Sequence, residues 1–113
     1  MVRSNRIIIY EFLDTIDKKV AGSSSDKYVL MVLNKFVKNH KKEFSFLKYV
    51  HIDLRKIKID KKIDSVDPEV VGEFLKLLIN SMFSHLFMLL VKRKLPKSLA
   101  RDLEELGVII NGS

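Results

Sequence analysis

Asp67-Pro68-Glu69-Val70-Val71-Gly72-Glu73-Phe74-Leu75-Lys76-Leu77-Leu78-Ile79 is the stretch on which the fold turns. Its first three residues read as an N-cap, a proline at the first helical position and an acidic first turn. Val66 and Val71 occupy the positions of a hydrophobic staple. Val70, Val71, Phe74, Leu75, Leu78, Met82, Phe83, Leu86 and Leu90 then form a broad apolar stripe at helical spacing. Leu77, Ile79, Phe87, Met88, Leu89 and Val91 add apolar side chains on other faces. The pattern predicts a helix over about 67–92, with Lys92, Arg93 and Lys94 placed to suit its C-terminal dipole. A helix apolar nearly all round is surrounded by protein, so this one is expected at the centre of the domain or with one face in an oligomer. Gly72 inside it costs about 1 kcal/mol against Ala, which a close helix crossing would explain. Between Leu77 and Val91 only His85 can carry charge. That run would extend about 22 Å as a helix, short of a bilayer core of about 30 Å, so no membrane span is expected.

Outward from this stretch the chain reads as further helices. Ile8, Phe12, Ile16 and Val20 recur every fourth residue, with Ile9 and Leu13 alongside, and predict a helix over about 5–20 that Gly22 closes. Ser25 offers the next N-cap, and Val29, Val32, Leu33, Phe36 and Val37 stripe a helix over about 25–39, with Lys27, Asn34, Lys35 and Lys38 facing out. Beyond Leu95-Pro96 a helix over about 96–106 is expected, with Pro96 at its first position, Leu99, Ala100, Leu103 and Leu106 on one face, and Gly107 and Val108 forming a Schellman stop. Residues 44–63 fit two patterns. Phe46, Leu47, Val50, Leu54 and Ile57 suit a helix, whereas Val50, Ile52 and Leu54, then Ile57 and Ile59, alternate as strands and slip phase at Arg55-Lys56. The reading adopted is a short helix to about Tyr49 followed by extended chain or a small hairpin. The expected fold is all-α, or mainly α with a minor β-hairpin. It is a compact four- to five-helix bundle around the apolar helix, in a single domain over 1–113.

Composition limits the chemistry. The 113 residues are 47% hydrophobic and 31% charged, a globular profile. No Cys is present, so disulfides, thiolate metal sites and a cysteine nucleophile are excluded. Ile7-Ile8-Ile9-Tyr10 is interrupted at once by Glu11 and Asp14, so no secretory leader is read and a cytoplasmic location is the expectation. His40, His51 and His85 lie far apart and lack metal-ligand spacing. His40 reads as a helix-end histidine and His85 as a core or interface one. Asp67 and Glu69 are explained by capping, and Asp60 and Asp64 alternate with lysines as on a solvated face. No glycine-rich phosphate loop and no nucleophile-elbow serine occur. With no nucleophile, base or metal set, neither an enzyme nor a cofactor is expected.

The remaining signal is charge. The net charge is +7 and the pI about 9.7. Lys greatly outnumbers Arg, which weakens the case for base reading, and Lys-rich, Ile-rich, Gln-free usage resembles that of heat-adapted proteins. Two clusters are candidates for nucleic-acid contact. One is Arg55, Lys56, Lys58, Lys61 and Lys62; the other is Lys92, Arg93, Lys94, Lys97 and Arg101. No aromatic stacking platform stands among these lysines in the sequence. Leu77, Phe87 and Met88, which fall away from the main stripe, are the candidate dimer interface. The expected function is a non-enzymatic protein-interaction or regulatory domain that self-associates. The alternative is a nucleic-acid-binding accessory protein that uses the Lys/Arg clusters.

Overall fold

The computed structural model describes residues 3–20, 26–53, 56–82, 93 and 95–108. The described chain is mainly helical and carries one small antiparallel sheet. Helix α1 (Asn5–Thr15) passes into a π-helical turn, Ile16–Val20, and is followed by α2 (Asp26–Asn39). A 3₁₀ turn at Ser45–Tyr49 leads into strand β1 (Val50–Ile52), which pairs with β2 (Ile57–Ile59). A second 3₁₀ turn, Lys61–Ser65, precedes α3 (Pro68–Met82), and α4 (Lys97–Glu105) closes the described fold.

The segment with two readings resolves as short helix then hairpin. Val50, Ile52, Ile57 and Ile59 point inward and are buried, while His51 and Lys58 face each other on the outer side. Beside the expected phase slip, with Arg55 itself outside the described residues, the described ends of the reversal between the strands are Asp53 and Lys56. There the Asp53 N–H donates to the Lys56 carbonyl at 3.1 Å, and the Lys56 N–H donates to Asp53 Oδ1 at 2.9 Å. An aspartate that caps its own turn in this way favours a tight reversal.

Helix α1 carries a fully buried apolar face that runs on into the π-helical turn. Ile8, Ile9, Phe12, Leu13 and Ile16 are at most 2% exposed. It packs on β2, on the second 3₁₀ turn and on α4. Its N-terminus is bound at several points. Ser4 Oγ accepts from the Ile7 N–H at 3.4 Å, and Asp64 Oδ1 accepts from the Arg6 N–H at 2.9 Å. The buried Asn5 amide donates to the carbonyls of Ile63 and Val66, at 3.0 and 2.8 Å. Arg3 Nε donates to Asp102 Oδ2 of α4 at 2.6 Å, and its Nη1 donates to Glu11 Oε1 at 2.5 Å. These bonds, first to Glu11 and then to Asp102, raise the Arg3 pKa above its usual value. The Asp102 side chain is 3% exposed, so its carboxylate depends on this arginine.

The start of α3 is capped as the sequence predicts. Asp67 Oδ1 accepts from the Glu69 N–H at 3.0 Å, and its carbonyl accepts from Val70. The buried face is rotated from the expected stripe: Val70 is 39% exposed, whereas Ile79 is 6% exposed and belongs to the core. The core-facing set is Val71, Phe74, Leu75, Leu78 and Ile79, which puts Val70 at the stripe's solvent edge. Phe74 is the hub of an aromatic group, with ring centroids 5.6–5.9 Å from those of Phe36, Phe44 and Phe46. The expected continuation through Phe83, Leu86, Leu90 and Lys92 lies outside the described residues, as do Ser25 and Gly22.

Gly72 meets the end of α4. A Cβ there would lie 2.6 Å from the Leu106 carbonyl oxygen, so the close crossing is real and only glycine fits without a shift. At that end the Schellman stop is complete: Val108 N–H donates to the Leu103 carbonyl, Gly107 N–H donates to that of Glu104, and Gly107 has φ +83°. One expectation is corrected at the other end of α4. Pro96 has ψ 147° and is the N-cap, not the first helical residue; its carbonyl accepts from the Ala100 N–H at 2.9 Å.

Candidate nucleic-acid interface

The hairpin and α2 enclose a groove of about 310 Å³. Lys38 and Lys41 line it from the end of α2 and the turn that follows, and Lys56 and Lys58 line it from the hairpin. His51, opposite Lys58 in the register, and Asn34 complete the polar wall; Val37, Val50 and Ile52 add apolar side chains. All four lysines are exposed, and among the described residues Asp53 is the one carboxylate in the lining. The local folding explains the convergence. Asn34, Lys38 and Lys41 are spaced i, i+4, i+7 and therefore share one side of the helical path. Strand alternation sends Lys58 to the same side by putting Ile57 and Ile59 in the core. The C-terminal dipole of α2 favours cations beside it and offsets part of the mutual repulsion of these lysines.

A second groove, of about 470 Å³, runs along the other side of β2. It is bounded by Arg6, Ile7, Tyr10 and Glu11 of α1 and by Ile57, Lys58 and Ile59. Ile7 and Tyr10 are 38% and 41% exposed, and form an apolar ledge. Lys58 lines both grooves, so the two surfaces are continuous across one side chain.

The structure brings together only part of the residues singled out from sequence. Lys56 and Lys58 of the first cluster enter the groove; Lys61 and Lys62 are exposed on the second 3₁₀ turn and do not line it. Of the second cluster Arg93, Lys97 and Arg101 are exposed, and none lines either groove. Arg55, Lys92 and Lys94 lie outside the described residues. So do Phe87 and Met88 of the candidate dimer face, while Leu77 is half-buried. Asn34, Lys38, Lys41, His51 and Tyr10 are site residues that sequence reading passed over. The polar i, i+4, i+7 spacing along α2 and into the turn after it was the available signal for the first three.

Two other titratable groups, His40 and Asp60, have structural partners. His40 stacks on Phe36 at 4.3 Å between centroids, and its Nδ1 lies 2.8 Å from Glu43 Oε1. Asp60 caps the second 3₁₀ turn through the Lys62 N–H. His85 lies outside the described residues. Among the described residues no group of His, Asp and Glu is placed to hold a metal ion, and no helix is long and apolar enough to cross a membrane. Compared with protein-family models, with curated proteins and with solved structures, the chain finds no match.

Proposed function

We propose that the chain is a non-enzymatic accessory domain of the cytoplasm that binds the phosphate backbone of nucleic acid in the groove between α2 and the hairpin. The observation that carries this reading is the convergence of Lys38, Lys41, Lys56 and Lys58 on one groove whose lining, among the described residues, contains a single carboxylate. Like charges gathered on a surface repel one another and favour an anionic partner. Lysines act as mobile point charges and suit the sequence-independent contact that a phosphate backbone offers. Among the described residues of the lining the cations are all lysines, with no arginine fork of the kind that reads base edges.

The test is a titration of labelled oligonucleotides by fluorescence anisotropy over a range of salt. Four phosphate contacts would give a slope of log K against log salt of about −3 on single strands and somewhat steeper on duplex. Lys38→Gln with Lys56→Gln should roughly halve that slope, because two contacts are removed. Lack of binding at low salt, or a slope unchanged in the double variant, contradicts the reading.

A second reading, self-association through a central helix over 67–92 in a helical bundle, is supported by one observation on α3. Val70 is exposed and Leu77 is half-buried, and at i, i+7 they share a face that Phe87 and Met88 would extend if the helix continues. Light scattering over a range of concentration tests it. A mass held at that of the 13.1 kDa monomer would end it.

A further inference from the structure

We infer that the nucleic acid this domain takes is single-stranded, and that Tyr10 is the platform on which a base stacks while the adjoining phosphates lie in the lysine groove. The inference rests on the proposed phosphate-binding groove and adds to it the nature of the ligand. Lys58 is common to both grooves, so a strand whose phosphates follow Lys38, Lys41 and Lys56 passes Lys58 and reaches the ledge of Ile7 and Tyr10. That ledge is the more apolar of the two surfaces, with Ile57 and Ile59 beneath it and Arg6 and Glu11 at its margin, the Glu11 carboxylate being paired with Arg3. Exposed apolar surface beside a cationic groove suits a ligand that carries negative charge and flat apolar faces together. Single strands have that chemistry, because each unpaired base presents a π-face. A duplex buries those faces in its own stack and offers phosphate and sugar to the outside, which would leave Ile7 and Tyr10 uncovered. Tyr10 is well placed for stacking for a further reason: its backbone lies in the middle of α1, whose apolar face is fully buried, so its Cα is rigidly held.

The experiment compares anisotropy titrations of labelled oligo-dT and oligo-U of about 12 nucleotides, within the usual site size of one binding module, with a blunt duplex of the same length. The proteins are the native chain, Tyr10→Ala, Tyr10→Phe, and Lys38→Gln with Lys56→Gln. The native chain should prefer either single strand to the duplex. Tyr10→Ala should weaken strand binding by roughly fivefold to a hundredfold, with the salt slope and the duplex affinity unchanged. Tyr10→Phe should bind as the native chain does, since the ring is kept. The chain has three tyrosines and no tryptophan, so quenching of tyrosine fluorescence by oligo-dT should be strong in the native protein. This readout does not depend on whether Tyr10→Ala folds. Loss of binding in the lysine variant, with strand binding intact in a folded Tyr10→Ala and no quenching in the native chain, overturns the stacking inference and leaves the groove standing. A preference for duplex also overturns it. Absence of binding to all three oligonucleotides removes both.

Discussion

The N-terminal end of α1 and the groove beside α2 are both rich in charge, and they use it in opposite ways. At the first, Arg3 sits between Glu11 and Asp102, and Asp64 and Ser4 cap amide groups of the helix. Charge there is partnered, partly buried and spent on joining α1, the second 3₁₀ turn and α4. At the second, four lysines gather on an open surface with one carboxylate among the described residues of the lining. The first arrangement stabilises the fold and needs no ligand. The second adds little to stability, since exposed charge interacts weakly in water and like signs repel. That concentration of one sign is what the proposed phosphate-binding role of the groove rests on.

That contrast breaks most readily at Arg3. Arg3→Ala leaves the Asp102 carboxylate buried without its partner, and should cost about 1.5–3 kcal/mol in urea unfolding. The loss should persist at high salt, because the Asp102 end of the pair is shielded from solvent. A loss below about 0.5 kcal/mol, the range of ordinary surface substitutions, would show that the pair is ornamental and that the contrast fails.

A smaller effect is expected at Asn5, whose amide holds the carbonyls of Ile63 and Val66. Asn5→Ala should cost about 1–2 kcal/mol. It should also speed hydrogen exchange in the second 3₁₀ turn more than in the hairpin. Equal exchange throughout would mean that Asn5 does not tie the two elements together.

The smallest effect belongs to the groove. Lys38→Gln with Lys56→Gln should change stability by no more than about 0.5 kcal/mol, with a slight gain at low salt that vanishes as salt is raised. A loss of stability comparable to that of Arg3→Ala would mean that these lysines serve the fold.

How far sequence reading reached follows from the range of each signal. Asp67-Pro68-Glu69, the Gly107-Val108 stop and the phase slip at Arg55-Lys56 are local devices, and each marked its element correctly. Gly72 was legible as a close approach because a helix interior penalises glycine, although its partner, the Leu106 carbonyl, could not be named. The rotation that buries Ile79 and exposes Val70 was hidden, since an all-round apolar helix has no preferred face until its neighbours are known. The groove was half legible. Lys56 and Lys58 stood out as a run, but Lys38, Lys41 and His51 join them only through the packing of α2 on β1. Tyr10 stands 48 residues from Lys58 in sequence and shares a groove with it only because α1 packs on β2. Spacing along a chain carries no trace of such a meeting.

The most direct test of the claim that the lysine groove is the binding surface is amide chemical-shift mapping by NMR, with oligo-dT added at low salt. Shifts are expected at residues 34–41 and 50–58, with an extension to Ile7 and Tyr10. Arg3, Asn5 and Asp102 should stay still, although that end of the molecule is equally rich in charge. Shifts centred on Lys97 and Arg101, or spread evenly over every exposed lysine, would contradict the claim.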